Sequence, residues 1–328
     1  MAHRSLLQDP PAPSASTHGD GLPGVAPPAP TARRRPLPLL VLETMRPKQW
    51  IKNAFVLAGL LFAGEALDLS TVGSALLAAF AFCLVSGATY LLNDALDAEA
   101  DKHNPRTAGR PIARGDLSPT LALVAAALAT VAGLACAFVL NLETFGAVAG
   151  FVVLQVAYSN KLKHVLFIDV MAIAAGFVLR AAAGGLAIEV PVSSWLLLCT
   201  GLLALFLGFT KRRGEAVALG GSGQPSRKVL ENYSVGLLDE LIAVVTPATV
   251  VSYALYAVTG AESDTMLLTV PFVMYGIFRV LFLIHHRTGE TEEVALVVWK
   301  DRPLLICVVL WALCAAVIAV VTTSTNLA

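Results

Sequence analysis

The sequence predicts an all-α, polytopic membrane protein, and three observations support that prediction. Of its 328 residues 56% are hydrophobic and 14% are charged, and the mean hydropathy of +0.72 is far above the range of soluble domains. The apolar residues form nine runs long enough to cross about 30 Å of hydrocarbon as helices. Lys and Arg are confined to alternate connections between the runs, as in a chain that crosses a membrane repeatedly.

The first 36 residues differ in composition from the rest of the chain. Residues 1–36 are rich in Pro, Ala, Ser and Gly and contain no sustained apolar stretch, so burial cannot offset the entropy of ordering them. We expect a disordered tail on the cytoplasmic side, which ends in a basic group, Arg33 to Arg35, next to the membrane. Residues 37–328 then form one nine-helix transmembrane domain.

Each predicted span is an apolar run of about 17 to 25 residues, the length that a helix needs to cross the hydrocarbon. In chain order the runs lie near residues 48–65, 71–92, 119–140, 143–159, 167–187, 193–211, 239–259, 267–285 and 303–323.

The charges in the connections predict the orientation of the bundle. On one side the connections read GEALDLS, NLET, AIEVPV and GAESDTM, and they contain acids but no Lys or Arg. The connections on the other side hold the basic residues, from Lys102 onward. Because cytoplasmic loops carry the excess of Lys and Arg, we predict a cytoplasmic N-terminus and an outside C-terminus, in the plasma membrane.

Acidic residues close the second predicted span at its cytoplasmic end. Asn93, Asp94, Asp97 and Asp101 form the pattern NDxxDxxxD, and on a helix turning about 100° per residue they fall within an arc of roughly 100°. Carboxylates this close repel one another unless a cation neutralises them, and Mg²⁺ prefers such hard oxygen ligands. We therefore interpret these four residues as a magnesium site. The alternative is a solvated helix end, which is our interpretation of Glu99, off this face.

A basic loop follows the acidic residues. The stretch NPRTAGRPIARG mixes Gly and Pro with Arg, which predicts an irregular loop whose guanidinium and backbone N–H groups can bind phosphate. Arg106 and Arg110 are the candidates for substrate contact. The excess of basic residues in cytoplasmic loops would explain each of them equally well.

Three more stretches bring candidate substrate-binding residues to the same predicted end of the bundle. They are RPKQWIKN, YSNKLKHVLFID and TKRRGE, and the candidates are Lys48, Lys52, Tyr158, Lys163, Lys211, Arg212 and Arg213. Anchoring at the membrane interface is the alternative for the first stretch, which contains Trp50. An acidic site ringed by basic residues indicates an anionic, phosphorylated substrate.

Two arginines lie within predicted spans. A guanidinium in hydrocarbon costs at least about 2.5 kcal/mol, so such a residue usually faces the bundle interior and has a partner. Arg180, well inside the fifth run, is therefore a candidate for the substrate pocket. Arg279, in the eighth run, lies close enough to the inner surface to snorkel there.

These motifs resemble those of the UbiA superfamily of intramembrane prenyltransferases. NDALDAEAD matches the superfamily's first aspartate-rich motif, and NPRT with the following RP and G, the YS and LK after the fourth run and the nine-helix count are similar as well. The resemblance covers nearly everything after residue 40. It implies a nine-helix catalytic domain whose active-site cavity opens at the cytoplasmic surface, with Mg²⁺ held by Asp94, Asp97 and Asp101, assisted by Asn93.

One departure from the superfamily's motifs indicates which branch the chain resembles. Typical members carry a second acidic motif, DxxxD, after the sixth span, whereas this chain reads FLGFTKRRGE with Glu215 as the only acid. That substitution and the RPKQWIKN opening resemble the decaprenyl-phosphate phosphoribosyltransferase branch. The branch implies transfer of 5-phosphoribosyl from phosphoribosyl pyrophosphate to a polyprenyl (decaprenyl) phosphate, with release of diphosphate, on the route to cell-wall arabinan precursors.

Two other functions stay open on the sequence. A UbiA-type prenyltransferase that moves an isoprenoid from its diphosphate to an aromatic acceptor would share the fold and the first motif, but the missing second DxxxD argues against it. A transporter of an anionic lipid or metabolite is disfavoured because we find no internal repeat. The expected partners are phosphoribosyl pyrophosphate, polyprenyl phosphate and the membrane, and not nucleic acid. The sequence leaves open whether the protein is a homo-oligomer.

Overall fold

A computed structural model describes residues 35–62, 68–105, 107–220, 228–261, 264–286 and 300–326 of the chain. Throughout these residues the regular structure is helical, which confirms the predicted all-α class. Eight of the helices are long and apolar enough to cross a membrane. The tail predicted over residues 1–36 lies outside this part of the chain except for its last two residues.

The helices follow the predicted runs closely. The second run lengthens to Leu69–Leu96, and the third coincides with its helix, Pro119–Leu140. In chain order the elements are α1 (Leu37–Thr44), a 3₁₀ segment (Pro47–Leu57), α2 (Ala58–Phe62), α3 (Leu69–Leu96), α4 (Ala98–Lys102), α5 (Pro119–Leu140), α6 (Leu142–Asn160), α7 (Ile168–Ala187), α8 (Ser194–Gly220), α9 (Val235–Leu255), α10 (Val270–His286) and α11 (Arg302–Asn326).

The first predicted span, residues 48–65, differs most from its prediction. In place of one long α-helix the chain forms the 3₁₀ segment Pro47–Leu57 followed by α2, Ala58–Phe62. A 3₁₀ helix rises about 2.0 Å per residue against 1.5 Å in an α-helix, so these two pieces together rise roughly 30 Å. The extended rise compensates for the small number of residues, and the nine-span prediction is roughly met.

Polar caps start five of the spanning helices within the described residues. At each of these ends a side-chain oxygen accepts the backbone N–H of the residue three positions later, which satisfies a group that the helix itself leaves unpaired. The capping residues are Asp68 of α3, Ser118 of α5, Asn141 of α6, Ser234 of α9 and Asp301 of α11. The short turn at Asn141 makes α5 and α6 adjacent antiparallel neighbours.

Glycines allow the 3₁₀ segment and α2 to approach α7 closely. A Cβ on Gly184 would lie 1.7 Å from the carbonyl oxygen of Val56, and a Cβ on Gly59 would lie 2.8 Å from the amide nitrogen of Gly185. Small residues are typical of such backbone approaches between membrane helices. The approach holds Asn53, which is buried, against the interior face of α7.

We expect Gly184→Ala to destabilise the protein. The added methyl group cannot coexist with the Val56 carbonyl, so the 3₁₀ segment and α7 must separate at a cost of about 1–3 kcal/mol or more. A thermal unfolding scan in detergent should show a midpoint several degrees lower. Gly150→Ala in α6 is the matched control, because a Cβ there meets nothing within 4 Å. Equal midpoints for the two variants would contradict the packing described above.

Candidate active site

Charged residues collect at one end of the bundle, where α3, α6, α8 and α10 end and α5, α7, α9 and α11 begin. Successive spans run in opposite directions, so these helix termini meet on the same side. Ion pairs between different elements join them: Arg46 with Asp94, Arg110 with Asp94 and Asp101, Arg212 with Asp169, Arg213 with Asp239, and Arg279 with Asp301.

The centre of the acidic motif is a pair of buried carboxylates that share one arginine. Nη1 of Arg110 lies 3.1 Å from Oδ1 of Asp94 and 2.6 Å from Oδ2 of Asp101. Nη2 of Arg46 donates to the same Asp94 oxygen at 2.6 Å. Asp94 is 2% exposed and Asp101 is 7% exposed. One positively charged nitrogen therefore already sits between the two carboxylates.

The motif departs from the continuous helix assumed in the prediction. Helix α3 ends at Leu96, Asp97 caps it with φ −91° and ψ 6°, and α4 begins at Ala98. This kink leaves Asp97 exposed and Asn93 half-buried, while Asp94 and Asp101 face inward. Among the described residues no three Asp, Glu, His or Cys side chains converge as a ready metal site. The structure brings Asp94 and Asp101 together and leaves Asp97 apart from them.

Arg46 reaches Asp94 from an unusual backbone conformation. Its φ of 54° and ψ of 67° lie in the left-handed region, which non-glycine residues rarely adopt. The side chain also stacks on the ring of Tyr90, with 4.7 Å from the guanidinium carbon to the ring centroid. Strain of this kind persists only where surrounding contacts hold it, and it clusters at functional sites. Arg46 was not among the predicted substrate-binding residues.

The basic loop after the motif is irregular, as predicted. Residues 103–105 and 107–117 form a series of turns, and Arg110 points from them to the two carboxylates. Arg114 is held by Glu43, Asp116 and the carbonyl of Gly109. Arg106 lies outside the described residues, so its predicted contact stays a prediction.

A second buried cluster occupies the place of the missing acidic motif. Arg212 is 1% exposed, and its Nε and Nη1 donate at 2.7 Å to Asp169, which is fully buried, and to Glu215. Its Nη2 lies 3.4 Å from the hydroxyl of Tyr158. Arg212 and Tyr158 were predicted to bind substrate, but the structure engages both in contacts between α6, α7 and α8.

Tyr233 completes this cluster, and no motif in the sequence pointed to it. Its hydroxyl donates to Asp169 at 2.8 Å and accepts the backbone N–H of Phe167 at 2.9 Å. Phe167 has a φ of 64°, so this hydrogen bond secures a strained turn at the start of α7. Burial, and then the hydrogen bond to Asp169, raise the pKa of the Tyr233 phenol, so it remains protonated at neutral pH.

Two other arginines near this end also have partners. Arg213 is 9% exposed, donates to Asp239 and lies 3.2 Å from the carbonyl oxygen of Ile284. Arg279, predicted to snorkel, forms a two-point ion pair with Asp301 at 3.0 and 2.9 Å. Asp301 also accepts the backbone N–H of Leu304, so the pair fixes the start of α11.

The remaining predicted residues lie at varied depths. Lys48 is exposed, whereas Lys52, Lys163 and Lys211 are half-buried. Lys163 lies in the short 3₁₀ turn Leu162–His164 that links α6 to α7. Arg180 is buried within α7, where it contacts Asn53.

Comparison with known proteins identifies the family. The model of the UbiA prenyltransferase family matches residues 53–300, about three quarters of the chain. The chain belongs to this family. Of the motifs quoted above, the acidic motif, the basic loop, YSNKLK and TKRRGE all fall inside the matched region.

Two curated relatives that carry the same name are similar to most of this chain. The chain is 34% identical to a decaprenyl-phosphate phosphoribosyltransferase of Mycolicibacterium smegmatis over 83% of this chain and 89% of that protein. It is 32% identical to the protein of the same name from Corynebacterium glutamicum, over 84% of this chain and 85% of that protein.

Solved structures support the fold. A UbiA homologue from Archaeoglobus fulgidus, bound to GPP and Mg²⁺, superposes with a TM-score of 0.64 at 18% identity and covers 86% of this chain and 99% of its own. A UbiA homologue from Aeropyrum pernix superposes with a TM-score of 0.59 at 14% identity and covers 82% of this chain and 98% of its own. At these identities the likeness establishes the UbiA fold alone.

We expect Asp169→Asn to destabilise the protein by about 3–5 kcal/mol, because it removes a charge from a buried ion pair and leaves Arg212 under-compensated. The double variant Asp169→Leu, Arg212→Met should recover much of the loss, since it removes both charges together. Unfolding in detergent measures both effects. Glu99→Gln, which breaks the exposed pair with Lys102, is the control and should be neutral. A double variant less stable than the single one would contradict this account.

Proposed function

We propose that this UbiA-family enzyme transfers 5-phosphoribosyl from phosphoribosyl pyrophosphate to a polyprenyl phosphate, with decaprenyl phosphate as the expected acceptor, and releases diphosphate. The observation that carries the proposal is the identity of 32–34% to curated decaprenyl-phosphate phosphoribosyltransferases over most of the chain. The sequence of the site supports it, because the stretch TKRRGE stands where typical family members carry a second aspartate pair.

The acidic motif suits Mg²⁺ bound to a diphosphate. Asp94 and Asp101 already share a positively charged nitrogen of Arg110, which supports a metal cation near their oxygens. These are hard oxygen donors, and Asn93 and exposed Asp97 lie in the same segment, close to the kink between α3 and α4. We infer that Asn93, Asp94, Asp97 and Asp101 would hold the metal. Bound there, Mg²⁺ would neutralise the charge that develops on the leaving diphosphate.

The residues of the chain then supply binding and orientation. As the bond from C1 of ribose to diphosphate breaks, a lipid phosphate oxygen forms the new bond to C1 from the opposite face. A phosphate monoester is already anionic, so the attack needs no strong general base. Arg46 and Arg110 lie where they can transfer their hydrogen bonds from the carboxylates to the diphosphate, which becomes more negative as it departs.

The location of the reaction follows from the charge pattern. We infer that the charged end of the bundle faces the cytoplasm, where a soluble sugar diphosphate meets a lipid acceptor at the membrane surface. The N-terminus is then cytoplasmic and the C-terminus outside, in the plasma membrane. The product would serve as a precursor for cell-wall arabinan.

A comparison of two substrate mixtures tests the proposed function. Purified protein with Mg²⁺ and labelled phosphoribosyl pyrophosphate should move label into the lipid phase when polyprenyl phosphate is present. The second mixture contains labelled prenyl diphosphate and an aromatic acid, the substrates of a UbiA-type prenyltransferase. Lipid-soluble aromatic product from the second mixture, together with no transfer in the first, would overturn the proposal.

We expect Asp94→Ala and Asp97→Ala each to abolish transfer while the protein stays folded in detergent. Both changes remove a carboxylate that we infer to hold the metal and its diphosphate, and such ligands are seldom replaceable. Glu99→Ala is the control, since this exposed acid of the same segment lies off the motif and pairs only at the surface with Lys102. Wild-type rates for both aspartate variants would remove the magnesium hypothesis.

A further inference from the structure

Arg180 is a buried cation without a charged partner among the described residues. It lies midway along α7, and its Nε donates to Oδ1 of Asn53 at 2.9 Å and its Nη1 to the carbonyl of Gly176 at 3.0 Å. Aromatic rings surround the guanidinium group, with centroids 4.4, 5.3 and 5.8 Å from its central carbon: Phe151, Phe177 and Phe82.

These neutral contacts stabilise the cation without cancelling its charge. The other arginines that are buried or nearly so at the charged end, Arg212 and Arg213, each have a carboxylate. A charge inside a membrane bundle is costly unless it is compensated. Binding of an anion therefore strongly stabilises a guanidinium group that has no charged partner among the described residues. The described contacts use Nε and Nη1 and leave Nη2 available to that anion.

The polar groups around Arg180 continue toward the acidic motif. Cys83, Ser86, Tyr90 and Asp94 recur at spacings of three and four, so they lie on one face of α3. Asn53, which orients Arg180, also contacts Cys83 at 3.3 Å and Ser86 at 3.4 Å. Ser86, which contacts Asn53, precedes Asp94 by eight residues, a rise of about 12 Å along α3, so Arg180 lies deeper in the bundle than the carboxylates.

The 3₁₀ segment runs beside α3 over the same depth. It enters at Arg46, which contacts Asp94, and reaches Asn53, which contacts Arg180. Between them, Oε1 of Gln49 and Nε1 of Trp50 are buried without a hydrogen-bond partner in the part of the chain that the structure describes. Buried polar atoms are usually paired, and a sugar hydroxyl can both donate and accept a hydrogen bond.

We propose that Arg180, oriented by Asn53, recognises a phosphate monoester, namely the 5-phosphate of the sugar donor. This inference rests on the proposed function, and it assigns a binding residue to one end of the sugar donor, the 5-phosphate. The donor carries diphosphate at C1 and a phosphate at C5, so with the diphosphate at Asp94 an extended molecule can direct its other phosphate toward Arg180. The lipid phosphate is a less suitable occupant, because its polyprenyl chain would have to follow it between packed helices.

The test uses Arg180→Met, which keeps an unbranched side chain and removes the charge. The Michaelis constant for phosphoribosyl pyrophosphate should rise at least about tenfold, while that for polyprenyl phosphate should stay within about twofold. Inhibition by ribose 5-phosphate should weaken by a similar factor, and inhibition by inorganic pyrophosphate should be retained. Arg180→Lys should show an intermediate loss, because it keeps the charge but not the forked donor.

Thermal unfolding in detergent supplies a readout that does not depend on turnover. Without ligand, Arg180→Met should unfold no earlier than the wild type, since an uncompensated buried charge has been removed. Its stabilisation by phosphoribosyl pyrophosphate should be reduced. Arg302→Met, which removes an exposed cation at the start of α11, is the control for loss of charge and should behave as the wild type.

The outcomes separate this inference from the proposed function. If the wild type fails to transfer phosphoribosyl, the proposed function is wrong. If the wild type transfers it, two results would overturn the role of Arg180. One is an unchanged Michaelis constant for phosphoribosyl pyrophosphate in Arg180→Met, and the other is a change in the Michaelis constant for polyprenyl phosphate alone. A wild type that millimolar ribose 5-phosphate does not inhibit overturns it as well. If Arg180→Met unfolds earlier than the wild type without ligand and its Michaelis constant for phosphoribosyl pyrophosphate is unchanged, Arg180 is a purely structural residue.

Discussion

The cost of placing charge inside a membrane organises this protein. At the charged end of the bundle, guanidinium groups are held by carboxylates from other elements, as in the pairs of Arg212 with Asp169 and Arg279 with Asp301. Such pairs contribute little net stability when both charges are buried, but removal of one partner is costly. They therefore fix which helix ends meet. The acidic motif depends on the same rule, because Arg46 and Arg110 hold its carboxylates before any ligand binds.

This cost of buried charge changes the interpretation of the stretch TKRRGE. From the sequence, its three bases were predicted to bind a phosphorylated substrate. In the structure Arg212 is neutralised by Asp169 and Glu215, and Arg213 by Asp239, so little of their charge is left for a substrate. The contacts of Arg212 with Asp169 and Tyr158 join α6, α7 and α8. Arg180, whose partners among the described residues are neutral, becomes the stronger candidate within the bundle.

Hydropathy and charge alternation were enough to predict the all-α class and the positions of eight spans, because apolar length and loop charge are local properties of the chain. The end of the sixth run was wrong, since α8 continues through TKRRGE to Gly220. The first span was harder, since its 3₁₀ rise depends on packing of Val56 against Gly184 in a distant helix. The pairing of Asp94 with Asp101 followed from helical spacing, whereas the kink at Asp97 did not. Tyr233 and Asp239 could not be found at all, because their partners lie elsewhere in the chain.

The central claim is that the donor site selects a phosphosugar diphosphate over an isoprenoid diphosphate. Equilibrium titration of the detergent-purified protein, in the presence of Mg²⁺, measures this directly with phosphoribosyl pyrophosphate and geranyl diphosphate as the two ligands. A buried cation and unpaired polar atoms favour the phosphosugar, so we expect it to bind at least about tenfold more tightly. Equal or tighter binding of geranyl diphosphate would contradict the account.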